Sequence, residues 1–406
     1  MTPRIEDYAL IGDLQTAALV GRNGSIDWLC LPRFDSGACF AALLGTEENG
    51  HWRIAPQGAG PSDTCTRRGY AGDSLVLETY WETRTGTVKV IDFMPQRDKS
   101  PDVMRIVEGV SGSVDMSSVL RLRFDFGSVV PWVRRSHGHR VAVAGPDSVW
   151  LRSEPPVKTW GQQFSTCSSF TVAEGESVAF VLTWHPSHSP RPKLVDPHKA
   201  LKHTLHDWAK WTERCTYEGP YREAVLRSLI TLKALTYAPT GGIVAAPTTS
   251  LPEETGGVRN WDYRFCWLRD ATLTLGAMVS AGYLEEAEAW RDWLLRAVAG
   301  TRPTSRSCTA SRASGGCRRW SCPGSPGTRT PARCGSGTRP SASVSSMCTA
   351  RSSTRSGSPR SPVWTTSRTP GTSSSACSAS WSRRGASRTR GCGRSGARAA
   401  TSSTPR

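Results

Sequence analysis

Between residue 8 and about residue 195 the apolar positions come in short alternating runs, each broken within ten residues or so by Gly, Asn, Asp or Ser. The stretch AALVGRNGSIDWLCLP sets two such runs around Asn23-Gly24, a pair that tolerates positive φ and marks a tight hairpin. SLVLETYWETRTGTVKVIDFMP repeats the format with a turn around Arg84–Thr87. VLRLRFDFG, HRVAVAGPDSVWLRSE and SFTVAEGESVAFVLTW add further alternating runs. Many short strands joined by hairpin turns predict an antiparallel β-sandwich.

The pattern changes after HPSHSPRPKLVDP, whose four prolines read as a linker. Beyond it the apolar spacing becomes helical. Leu201, Leu205 and Trp208 fall on one face, and Ala224, Leu226, Ile230 and Leu235 on another. RDATLTLGAMVSAG and LEEAEAWRDWLLRAV continue in the same style. The chain therefore divides into a β domain over residues 1–195, a linker helix over 196–218 and the start of a helical domain over 219–300.

Composition alters the picture only past residue 300. The 406-residue chain carries a net charge of +17, yet residues 301–406 hold 19 Arg and no Lys, Asp or Glu, so the first 300 residues sum to −2. That tail also lacks Leu, Ile, Phe, Tyr, Asn, Gln and His. Without aliphatic residues at period 2 or 3.6 it has nothing to offset the entropy of ordering, and it is expected to be disordered. Apart from Val344, Met347 and Val363, its residue types all have G or C at the middle codon position. A GC-rich gene read one base out of frame gives this vocabulary. With each codon started on the last base of the displayed one, Thr304 to Arg312 can spell Asp-Leu-Gln-Ile-Met-Tyr-Gly-Ile-Ala. Cys317 to Arg329 can spell Leu-Pro-Glu-Val-Glu-Leu-Pro-Trp-Leu-Pro-Gly-Tyr-Glu under the same shift. We read a frameshift near residue 300.

Two functional readings of the tail fit poorly. A nucleic-acid arm clusters Lys and Arg among aromatics, whereas here Arg is scattered and Trp is the only aromatic, so no specific nucleic acid is expected. Cys308, Cys317, Cys322 and Cys334 offer no C-x2-C pair and no neighbouring His for zinc. The six cysteines of the first 300 residues, Cys30, Cys39, Cys65, Cys167, Cys215 and Cys266, are scattered and suit reduced, buried thiols of a cytoplasmic protein. The first residues show no secretory signal, and no run is apolar enough to span a membrane. His203 and His206 lie three apart, but no carboxylate completes a site, and they read as surface or interdomain residues. Neither metal nor cofactor is expected.

The densest chemistry lies in GGIVAAPTTSLPEETGGVRNWDYRFCWLRDATLTLGAM, residues 241–278. Asn260, Trp261, Asp262, Tyr263, Phe265, Trp267, Arg269 and Asp270 gather where a Gly/Pro-rich loop gives way to helix. Aromatic rings pack against the C–H faces of sugars, while Arg and carboxylate pair with their hydroxyls. The same residues equally fit an aromatic core with an Arg–Asp ion pair. Glu253 and Glu254 are adjacent, and side chains at i and i+1 cannot flank a sugar from opposite faces. A solvated or hydrogen-bonded loop role suits them better.

NWDYRFCWLRDATLTL resembles the first motif of glycoside hydrolase family 15, the inverting glucoamylases, glucodextranases and bacterial trehalases. IEDYALIGDLQTAALVGRNGSIDWLCLPRFDSGACFAALLG is similar to the β-sandwich that precedes the barrel in its prokaryotic members. The resemblance covers residues 5–300. It implies an (α/α)6 barrel in which one carboxylic acid protonates the leaving oxygen and a second carboxylate, about 6.5–9.5 Å away, activates water. Such an acid needs a raised pKa to stay protonated near neutral pH. By the same resemblance Arg269 and Asp270 match the pair that binds the hydroxyls of the non-reducing glucose. Tyr263 matches the tyrosine beside the developing oxocarbenium, Trp267 a pocket wall, and Asn260, Trp261 and Asp262 supporting positions.

The shifted reading of Arg388 to Arg406 is similar to the family's general-acid motif, with the Glu spelled across the codons of Gly393 and Arg394. It is not translated, and the base would lie beyond the chain. No catalytic residue is therefore assigned. The expected fold is multidomain: an antiparallel β-sandwich, then the truncated start of an (α/α)6 barrel, with residues 301–406 out of frame and unstructured. The resemblance implies an α-glucoside partner, with α,α-trehalase first and a glucoamylase or glucodextranase second. The third reading is a non-enzymatic, truncated sugar-binding remnant, since the literal chain is expected to be inactive.

Overall fold

The computed structural model describes residues 3–254, 257–299 and 308–309. Its first part is built from β1 (Tyr8–Gly12), β2 (Ala17–Gly21), β3 (Ser25–Cys30), β4 (Ala38–Phe40) and β5 (His51–Pro56). There follow β6 (Arg67–Tyr70), β7 (Leu77–Glu82), β8 (Gly86–Phe93), β9 (Asp102–Arg121) and β10 (Trp132–Ser136). β11 (His139–Ala144), β12 (Asp147–Glu154), β13 (Thr159–Gln162), β14 (Ser165–Ala173) and β15 (Ser177–Pro186) complete it. The Asn23-Gly24 hairpin forms between β2 and β3 as its residues predict, with Gly24 at φ +75°.

Strand β9 organises the whole region. Its first half pairs with β8 and β15, and its second half with β5 and β14, so one strand belongs to two sheets. The change of partner falls at Gly109 and Gly112. Gly112 sits at φ +64°, and a Cβ on Gly109 would collide with the Ala173 carbonyl. Only glycine lets the strand turn the corner there. The two sheets run β1-β2-β3-β5-β9-β14-β13 and β6-β7-β8-β9-β15-β12-β11-β10, packed face to face. Trp52 of β5 meets Phe180 of β15 edge-on at 6.5 Å across the interior, among Ile26, Val88, Val107 and Met116. Arg105 is fully buried and ties the sheets together. It pairs with Asp92 at 2.7 Å on one sheet and donates to the Trp52 and Gly24 carbonyls at 2.7 and 2.8 Å on the other.

Four helices follow: α1 (Pro197–Thr212), α2 (Arg222–Ala234), α3 (Leu268–Ser280) and α4 (Leu284–Val298). Pro197 opens α1 behind Asp196, whose carboxylate accepts the His198 and Lys199 amides at 3.0 Å. The helix lies on the outer face of the second sheet, with Ala200 among Val76, Ile91, Phe93 and Ile106. Its far end joins α2, α3 and the sandwich in one apolar cluster, where Trp208, Trp211, Leu229, Ile230 and Met278 meet Leu14 and Leu75. Trp211 stacks on Tyr283 at 4.2 Å. Helices and sandwich thus share a core.

One expectation is corrected. On α2, Ala224 points to solvent and Leu229 takes the inward place beside Leu226 and Ile230, because the buried stripe turns with the helix. Within the segment expected to be unstructured from residue 301, Cys308–Thr309 pair antiparallel with Cys266–Trp267. The other residues of that segment lie outside the described ones. His203 and His206 are exposed on α1.

Candidate functional site

The loop between α2 and α3 is laid against the sandwich before it reaches the helix. A short strand, Thr249–Pro252, pairs with Asn260–Asp262, and Leu251 packs on the outer face of the first sheet beside Trp28 and Phe126. Trp28 donates its indole N–H to the Pro247 carbonyl at 2.7 Å. The two-residue strand Cys266–Trp267 then leads into α3, with Trp267 at the helix cap.

Arg264 holds this loop down. Only 4% exposed, it makes a two-pronged pair with Asp262 at 2.9 and 2.7 Å. Its third nitrogen donates to the Ser36 carbonyl at 2.6 Å and to that of Phe34 at 3.3 Å, both in the β3–β4 connection. The Phe126 ring lies 5.2 Å from the guanidinium, and the Cys30 sulfur is 3.5 Å away. Burial opposes the charge on Arg264, but Cys30 and the Asp262 carboxylate outweigh it and hold its pKa above the usual guanidinium range. Burial also pushes the Cys30 thiol up to about 11 and the Cys266 thiol up to about 12, so both stay protonated. Sequence alone does not single out Arg264, since a cation among aromatics and acids signals a sugar contact as readily as a buried tie. Its even spacing from Asp262 was the available clue.

The residues around this tie point the other way. Tyr263 and Trp267 are half-buried, their rings 6.2 Å apart and inclined at 37°. Trp267 donates to the Asp262 carbonyl at 3.4 Å. Arg269 and Asp270 begin α3 and pair with each other at 3.4 Å, the arginine side chain 82% exposed. Burial, together with the negative charges of Glu253 and Asp270, raises the Tyr263 pKa, against the opposing effect of Arg269. Tyr263 is therefore a hydrogen-bond donor at neutral pH. Of the expected supporting residues, Asp262 serves Arg264, and Trp261 donates to Glu253 at 2.8 Å. Asn260 is buried with its side-chain oxygen unpartnered among the described residues. Glu253 is thus engaged as a loop acceptor.

Chemically, the arrangement is one wall: two inclined aromatic rings, a phenol donor, an exposed guanidinium and a half-exposed carboxylate. Beyond it α3 and α4 leave Leu268, Leu273, Leu284 and Leu295 exposed, Leu273 by 71%. Among the described residues no group of His, Cys, Asp and Glu is arranged to hold a metal ion. Among the described residues no helix is long and apolar enough to cross a membrane.

Two family models match the chain: "Trehalase-like, N-terminal" over residues 1–172 and "Glycosyl hydrolases family 15" over residues 219–314. A trehalase of Thermoplasma volcanium is 33% identical over 292 residues, covering 70% of this chain and 46% of that protein. A trehalase of Mycolicibacterium smegmatis is 34% identical over 312 residues, with the same 70% and 46% coverage. The chain therefore spans about half the length of the curated relatives it matches. A bacterial glucoamylase solved with acarbose superposes with a TM-score of 0.56 at 14% identity, covering 77% of this chain and 52% of that one. That last likeness is one of fold.

Proposed function

The chain belongs to the trehalase-like proteins of glycosyl hydrolase family 15, and from this premise we propose that residues 260–270 form one wall of a glucosyl pocket. The supporting observation is the Tyr263–Trp267 ring pair at 6.2 Å next to the Arg269–Asp270 pair. The rings take the C–H face of a glucose unit, and the Tyr263 hydroxyl turns its oxygen lone pairs towards the ring-oxygen side, where positive charge develops. Arg269 and Asp270 take its hydroxyls, each offering planar, directional hydrogen bonds. Asn260, Trp261 and Asp262 hold the wall in place, the last through Arg264.

Full turnover needs a protonated acid and a water-activating carboxylate on opposite sides of the scissile bond. We assign neither to a residue of this chain, because the acid is spelled only in the shifted frame, across the codons of Gly393 and Arg394. The chain as translated is thus a sandwich, the first helices of an (α/α)6 barrel and a frameshifted tail, able to hold a glucoside but not to cleave it. The exposed leucines of α3 and α4 support this reading, being the surface on which further barrel helices pack. The boundaries at residues 195, 218 and 300 belong to the same proposal, as does a cytoplasmic location, which the six free cysteines among the described residues favour.

Restoring the frame by one base between the codons for residues 290 and 310 tests the assignment. The restored protein should hydrolyse trehalose with inversion, giving one β- and one α-glucose by NMR before mutarotation. Hydrolysis of maltose or isomaltose but not trehalose would favour the glucoamylase or glucodextranase reading. Retention of configuration, or no glycosidase activity with a restored frame, would defeat both.

A further inference from the structure

Between β9–β14 and β10–β12 the two sheets part around a cavity of about 410 Å³, within the usual range of ligand pockets. Its floor is aliphatic: Leu120 and Leu122 from one sheet face Val133, Ala142, Val149 and Leu151 from the other. The register explains the lining. Ala142 stands opposite Val149 across β11–β12, and Val133 shares its face of β10 with Arg135, two residues on.

The same face carries an unbalanced charge. Arg135 and Arg140 are directly opposed across β10–β11, a like-charge placement that costs stability. Both guanidinium groups donate to one carbonyl oxygen, that of Thr159, at 2.8 Å, and Arg140 also donates to the Thr159 hydroxyl at 2.9 Å. Among the described residues neither is in a salt bridge, and the charge facing Arg140 is that of Arg135. Arg140 itself lines the cavity.

The rim is strained. β13 turns into β14 through Gln163 and Phe164, at φ +46° and +59°, where hairpins ordinarily use Asn and Gly. Arg121 fixes the turn by donating to the Gln163 carbonyl at 3.1 Å and the Ser165 hydroxyl at 2.9 Å. Phe164 is held at the mouth, 79% exposed, with the Arg123 guanidinium 5.9 Å from its ring. A bulky aromatic kept in a left-handed conformation and facing solvent contributes nothing to the core, and such strain gathers at binding sites.

We propose that this cavity binds a soluble single-chain amphiphile with an anionic head, its apolar body between the sheets and its carboxylate or phosphate between Arg135 and Arg140. The polar lining, Gln162, Gln163, Ser165, Thr166 and Arg140, comes from β11 and the β13–β14 turn, while a sugar reaching the aliphatic floor would bury hydroxyls against leucine, valine and alanine. An amphiphilic anion satisfies both features, since its apolar body covers the aliphatic floor and its head neutralises the paired cations.

The test is calorimetric titration of the full chain with sodium decanoate below its micelle-forming concentration, with decan-1-ol and decyl phosphate in parallel. Decanoate or decyl phosphate should bind saturably, one per chain, at least tenfold more tightly than decan-1-ol. Arg135→Gln with Arg140→Gln should remove at least tenfold of that affinity, and Ala142→Trp should abolish it by filling the cavity. The preference for an anion over the alcohol needs no variant, so a misfolded substitution leaves the test decisive. Equal binding of decanol, or no saturable binding of either anion, overturns the proposal. So does binding only to anionic vesicles. Aggregation of the double arginine variant without any decanoate binding by the parent chain would mean that the arginines merely guard the β10 edge.

Discussion

Replacing Arg264 by Met removes a buried cation while keeping much of its length, and leaves three acceptors behind. The Asp262 carboxylate, two-pronged on Arg264 in the intact chain, becomes a buried charge without its partner. The Ser36 and Phe34 carbonyls lose their donor in the same step. Breaking a buried pair from one side costs about 3–5 kcal/mol, largely as the penalty on the charge that remains. Each orphaned acceptor adds up to about 1–3 kcal/mol where water cannot reach it, though such terms do not sum simply. A loss of about 4 kcal/mol is a large share of the roughly 5–15 kcal/mol that holds a domain folded, and lowers Tm by on the order of 10 °C. Urea denaturation followed by tryptophan fluorescence reads it directly. The double variant Arg264→Met with Asp262→Asn removes the stranded charge and should recover about 2 kcal/mol, giving a coupling well above additivity error. Arg264→Lys should not rescue, since an ammonium cannot span Asp262 and the Ser36 carbonyl at once. A loss under about 1 kcal/mol, or a double variant no better than the single, would refute the view that this pair fixes the loop to the sandwich.

Other positions give sharp expectations. Burial pushes the Asp102 carboxyl up to about 6, beside the Thr183 hydroxyl that donates to it. An unfolded aspartate titrates near 3.9, so the native state holds the extra proton; stability from this group is full below about pH 4 and falls by on the order of 3 kcal/mol as pH rises through 6. Asp102→Asn should erase that part of the pH dependence, and parallel stability curves for the two proteins from pH 4 to 7.5 would contradict it. Gly24→Ala places a methyl at φ +75° against the Ile54 carbonyl. It should cost about 2–4 kcal/mol in thermal or urea unfolding, and a cost under about 0.5 kcal/mol would show that the β2–β3 turn relaxes freely.

The sandwich was readable wherever a hairpin carried its own turn chemistry. Asn23-Gly24 and the Arg84–Thr87 turn declared themselves because each needs particular residues over two or three positions. Strand β9 did not. Its 20 residues include Gly109 and Gly112, which break the alternation and look like a strand end, yet they serve to pass one strand between two sheets. That role depends on neighbours far away in sequence, which periodicity cannot supply. The proposed wall around Tyr263 and Trp267 stands out in the sequence because aromatics and hydrogen-bonding groups are dense there. Arg264 was missed for the same reason, since its partners at Phe34 and Ser36 lie more than 220 residues earlier. Composition alone set the tail apart, through the absence of leucine and isoleucine and of Lys, Asp and Glu.

The central claim is that this chain keeps a trehalase-like scaffold and one glucosyl wall while lacking the acid and base that cleave the bond. The direct measurement is glucose release from trehalose by the purified 406-residue chain, followed over days against a protein-free blank. The account predicts release no faster than the blank. Glucose that accumulates in proportion to the amount of protein, and ceases when Arg269 and Asp270 are both replaced by alanine, would contradict it.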